Sequence, residues 1–145
     1  MNSPNLPPLL RDQRKIDADH LKLLAVFHYV LAGLSLVGIA FLCLHWALMQ
    51  AVMSMPAKNG NPPPAQFFAV FRWFYVFCGF FMVSGGALLL ASGRCIARRK
   101  ARVFSLAVAG LSCLMFPFGT ALGVFTMIVL LRESVVETYE ATPTR

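Results

Sequence analysis

Three long runs without a single Lys, Arg, Asp or Glu decide most of what this chain can become: residues 23–57, 73–93 and 103–131. About 20 predominantly apolar residues span the roughly 30 Å hydrocarbon core of a bilayer, and each run reaches that length. A soluble domain carries about 25% charged residues, whereas this chain carries 13%, against 58% hydrophobic ones. The pattern predicts an all-α, polytopic membrane helix bundle. The net charge of +7 comes from basic residues beside the apolar runs. That is how membrane spans are flanked, and it argues against a nucleic-acid-binding face.

Residues 1–19 are polar and contain Pro4, Pro7 and Pro8. They predict a disordered cytoplasmic N-terminus, with a surface helix starting from Arg11 and leading into the membrane domain at residues 20–139. The apolar run that follows is longer than the 7–15 residues of a signal-peptide core, so no cleavable leader is expected. The first span extends from Leu23 to Trp46 and continues through Met49, Val52 and Met55 past the far interface. Pro56 to Ala65, with Asn59, Gly60, Asn61 and Pro62 to Pro64, reads as a loop.

A second helix is expected from Ala65 to Ser92 or Gly93. Trp46, Arg72, Trp73 and Tyr75 read as interfacial anchors, the arginine reaching the headgroups while aromatic rings sit at their level. Gly85 and Gly86, between Ser84 and Ala87, offer a small-residue surface for a neighbouring helix. Arg94, Arg98, Arg99, Lys100 and Arg102 then form a loop with no acidic residue. Such loops stay in the cytoplasm. Each cation also gains on the order of 1 kcal/mol beside an anionic leaflet, so the loop can act topogenically or bind lipid headgroups.

The last run is the least determinate. As one helix it would be about 43 Å long; broken in the middle it gives two arms of about 21 Å. Pro117 lacks a backbone donor and biases Phe116 away from helix, and Gly119 follows it closely. The reading is therefore four helices, two long ones and then a short hairpin broken at Pro117 and Gly119, with both termini cytoplasmic. Three spans with a kinked last helix is the alternative. The final helix is expected to extend to about Tyr139, leaving a flexible tail at residues 140–145.

Phe116 to Arg132 reads FPFGTALGVFTMIVLLR. This segment resembles a C-terminal signature, P-F-G-T-x-L-G-x-(F/Y)-T-x-x-V-L, of small bacterial membrane proteins of unknown function. The basic stretch ARRKAR and the lead from His20 to Leu24 are also similar to that family. The resemblance implies a multi-pass bacterial inner-membrane protein and no particular activity. Within the signature, Gly119 and Gly123 have GxxxG spacing and share one helix face. They could pack inside the bundle, form a homodimer seam or dock a larger membrane partner. Thr120 could cap a new helix, and the Thr120 and Thr126 hydroxyls could satisfy backbone groups freed at the break.

Little here supports chemistry. The predicted spans hold no Asp or Glu, where proton-coupled transporters usually place an ionisable group. His28 and His45 lie about 25 Å apart along one helix and cannot share a metal. Cys43, Cys78, Cys95 and Cys113 have neither CxxC nor metal-ligand spacing. The sequence predicts a non-catalytic protein without cofactor or metal, with a structural or interaction role as accessory subunit, assembly factor or membrane organiser. Its partners would be the bilayer, a larger membrane complex or a second copy. Two alternatives remain open: an oligomeric solute transporter or pore lined by Ser112, Thr120 and Thr126, and a haem-bearing electron carrier using His28.

Overall fold

The computed structural model describes residues 8–55 and 65–140, and every regular element among them is helical. In chain order these are α1 (Pro8–Met53), α2 (Ala65–Ala97), α3 (Arg102–Ser112), α4 (Phe118–Leu130) and α5 (Glu133–Glu140). The segments Asp12–Met53 and Phe68–Ala97 are long and apolar enough to cross a membrane. The protein is an all-α membrane helix bundle. The disorder expected of residues 1–7, the loop at 56–64 and the tail at 141–145 lie outside the described residues.

The chain divides into two units, one of Met1–Leu31 with Leu88–Arg145 and the other of Ala32–Ala87. In the first unit the core is made by Leu21 and Leu24 of α1, Leu89 and Ile96 of α2, Val108 and Ala109 of α3, Leu122, Val129 and Leu130 of α4, and Val135 of α5. Gly93 lets α1 and α2 come together: a Cβ there would sit 3.1 Å from the His28 Cβ and 3.3 Å from the Ala25 carbonyl oxygen. That contact corrects the expected end of the second helix. Gly93 is a packing point, and α2 continues four residues further.

Helix α2 ends in a Schellman motif. The Lys100 N–H donates to the Cys95 carbonyl at 2.9 Å and the Arg99 N–H to that of Ile96 at 3.1 Å. Arg99 takes the left-handed conformation, φ 52°, that glycine usually supplies at this position. Ala101, which precedes α3, is also left-handed at φ 49°.

Helices α3 and α4 pack as an antiparallel hairpin. A Cβ on Gly119 would come within 2.5 Å of the Ser112 carbonyl oxygen. On Gly123 it would collide with the Ala109 carbonyl and lie 2.6 Å from the Cys113 Sγ. Contact this close needs glycine on α4, because backbone atoms cannot step aside. The break falls at residues 113–117, with a cis peptide between Phe116 and Pro117. Gly119 is thus inside α4 and not part of the break.

Two further boundaries differ from the sequence reading. Helix α1 begins at Pro8, three residues before the expected start at Arg11. Its first part is not wholly at the surface, since Asp17 is 4% exposed. Helix α5 does not continue α4 but leaves it at 72°. The turn at Leu131 and Arg132 carries the charged segment beginning at Glu133 away from the apolar axis of α4.

The second unit is an α1–α2 pair. Gly38 faces Met82, Gly79 faces Leu42, and a Cβ on Gly86 would sit 3.1 Å from that of Ser35. Gly85 has nothing within 4 Å. Only one of the two adjacent glycines packs against a helix, because neighbouring positions are turned about 100° apart around the axis. The outer surface of this unit is apolar and aromatic, with Phe77 62% and Phe80 67% exposed.

Candidate functional site

Polar residues converge where α1, α4 and α5 meet in the first unit. Asp17 lies on the α1 face that also carries Leu21, Leu24 and His28, at intervals of three and four residues. Its Oδ1 accepts from Arg132 Nη1 at 2.6 Å. Its Oδ2 accepts from the Ser134 hydroxyl at 2.5 Å. Both carboxylate oxygens are used, so a nearly buried charge is paired with a cation and with a second donor. The Arg14–Glu137 pair beside it is looser, at 3.8 Å, with both side chains more than half exposed. A groove of about 470 Å³ runs along this junction, lined by Gln13, Arg14, Arg132, Glu133, Ser134 and Glu137.

Arg102 opens α3 and donates from Nε to the Leu130 carbonyl at 2.9 Å. A cation here satisfies one of the free carbonyls at the C-terminus of α4 and favours the negative end of its dipole. Arg94, Arg98, Arg99 and Lys100 are exposed. Tyr139 on α5 is close enough to Arg99, Arg102 and Cys95 to feel their charges; burial, the largest influence, pushes its hydroxyl up to about 12.

The hydroxyls offered by the sequence for a solute path are engaged with backbone. Ser112 donates to the Val108 carbonyl, Thr126 to that of Leu122, and Thr120 across the break to that of Cys113. Pro117, not Thr120, holds the N-cap position of α4. Thr120 instead closes a carbonyl left free by the end of α3. His28 is fully buried. Its Nδ1–H donates to the Leu24 carbonyl at 2.9 Å, which leaves Nε2 as an acceptor. That Nε2 and the buried hydroxyls of Ser92 and Ser105 have no hydrogen-bond partner among the described residues.

The interfacial anchors separate into two kinds. Trp46 and Tyr75 are half-buried and meet edge to face at 5.0 Å, and His45 Nδ1 is hydrogen-bonded to the Tyr75 hydroxyl. Arg72 and Trp73 are exposed. A cleft of about 200 Å³ lies against the paired rings, lined also by Met49, Gln50, Met53, Phe68 and Phe71.

Sequence reasoning did not single out Asp17 or Ser134. The signal for Asp17 was present: the apolar stripe Leu21, Leu24, His28 extends back onto it. Ser134 offered none. No family model, curated protein or solved structure matches the chain.

Proposed function

We propose that the protein is a non-catalytic component of the bacterial inner membrane, serving as accessory subunit, assembly factor or membrane organiser. One observation carries this reading. Ser112, Thr120 and Thr126, the residues a solute path through the hairpin would need, all donate to backbone carbonyls, Thr120 across the break and the other two within their own helices. What the helices turn outward is apolar, which suits contact with lipid or with other membrane helices. The P-F-G-T-x-L-G signature is consistent with membership of a family of small bacterial membrane proteins. The exposed basic loop supports an orientation with Arg94 to Arg102 in the cytoplasm. The Asp17–Arg132 pair supports placing the described ends of the chain on that same side.

The test is purification through a C-terminal tag in mild detergent, followed by native mass spectrometry. Co-purification of one larger membrane complex at fixed ratio is the expected result. A homo-oligomer without partners that passes solutes across proteoliposomes would replace this reading with a transporter.

A further inference from the structure

We infer that the α3–α4 hairpin is re-entrant: it enters the bilayer from the end of the bundle bearing Arg102 and Arg132, turns within the hydrocarbon, and leaves by the same face. The surface it offers at the tip fits the acyl chains of one leaflet.

Length is the first argument. Helix α3 has 11 residues and α4 has 13. At 1.5 Å per residue the arms are about 17 Å and about 20 Å long. A hydrocarbon core is roughly 30 Å thick, so each arm reaches the middle and stops short of the far side.

The ends of the hairpin are fixed together. The antiparallel register that sets Gly123 against Ala109 ends with Arg102 bonded to the Leu130 carbonyl. Helix α5 cannot serve as the second half of a span begun by α4. It turns away by 72°, carries Glu133, Glu137 and Glu140, and is held through Ser134 to Asp17 in the polar first part of α1.

Chemistry at the tip is the second argument. Residues 114–118 read Leu-Met-Phe-Pro-Phe, without a polar side chain. Leu114 is 82% exposed, Phe116 87% and Phe118 75%. A turn joining two crossing helices in water would not present such a surface. In hydrocarbon, exposed apolar side chains are favourable but backbone groups must be satisfied internally. Four N–H groups around the tip meet that demand. Leu114 N–H donates to the Leu111 carbonyl, Met115 N–H to that of Ser112, and Gly119 and Thr120 N–H to that of Met115. Thr120 Oγ1 covers the Cys113 carbonyl at 2.7 Å. Such a hairpin adds cross-section to one leaflet alone.

The experiment uses the full-length chain with its four cysteines changed to alanine, and single cysteines returned as Lys100→Cys, Phe116→Cys or Glu140→Cys. Intact cells and inverted vesicles are treated with a membrane-impermeant maleimide. Lys100→Cys and Glu140→Cys should be labelled from one common side, and Phe116→Cys from neither until detergent is added. A spin label at position 116 should collide readily with oxygen and poorly with a water-soluble nickel chelate. Labelling of Phe116→Cys from the side opposite Lys100→Cys would show that the hairpin crosses. Labelling from the same side would place it on the surface, and opposite labelling of Glu140→Cys would make α4 and α5 one bent span. Leu114→Cys provides a second tip position, and matching gel-filtration profiles show that the variants fold.

Discussion

Asp17 and Arg132 are 115 residues apart in sequence and meet at 2.6 Å. Through this pair the polar start of α1 holds the turn between α4 and α5, so the two ends of the described chain form one structure. Ser134 takes the second carboxylate oxygen.

Removing the carboxylate should therefore destabilise the protein measurably. Asp17→Ala leaves a partly shielded guanidinium and a hydroxyl without their acceptor, a loss of about 2 kcal/mol for charge-assisted hydrogen bonds. Arg14→Ala should change stability by less than about 0.5 kcal/mol, because an exposed pair at long distance gains little. Unfolding in mixed micelles with increasing denaturing detergent would compare them. Equal effects would mean that the buried pair is not special.

Glycine positions on α4 should be far less tolerant than glycines elsewhere. Gly123→Ala forces a Cβ into the Ala109 carbonyl, and Gly119→Ala into that of Ser112. Overpacking of this kind costs about 1–3 kcal/mol. Gly85→Ala and Gly110→Ala meet nothing within 4 Å and should be neutral or slightly stabilising. Thermal unfolding of the four variants in detergent checks the order.

Arg99 and Ala101 hold left-handed backbone conformations that disfavour a side chain. Changing either to glycine should stabilise the fold by about 1 kcal/mol. Ala101→Gly leaves the loop charge intact and is the cleaner measurement. A fall in melting temperature would show that the loop is not held in this geometry.

Tyr139 gives a pH dependence. Its folded-state value of about 12 lies above the usual 10.0, chiefly through burial. Between those values the native state retains a proton that the unfolded chain has lost, so stability should fall as pH rises from about 10 to about 12. Below that window both states are protonated and the group contributes no slope. Tyr139→Phe should flatten the decline, and an unchanged slope would assign it to other groups.

Membrane insertion and the basic loop were legible in the sequence because both depend on composition along a short stretch. Three charge-free runs and a cluster of cations need no partner to act. The hairpin was legible too, since Pro117 interrupts a run otherwise suited to one helix. Only the tertiary structure decided which small residues matter: Gly86 packs on α1 whereas Gly85 beside it meets nothing within 4 Å. It also anchored the polar N-terminal helix, by burying Asp17 against Arg132, and gave Arg102 the end of α4 to hold. These outcomes depend on residues far apart in the chain being brought to hydrogen-bonding distance. The strength of such a pairing is set by burial and geometry, and neither can be read from sequence spacing.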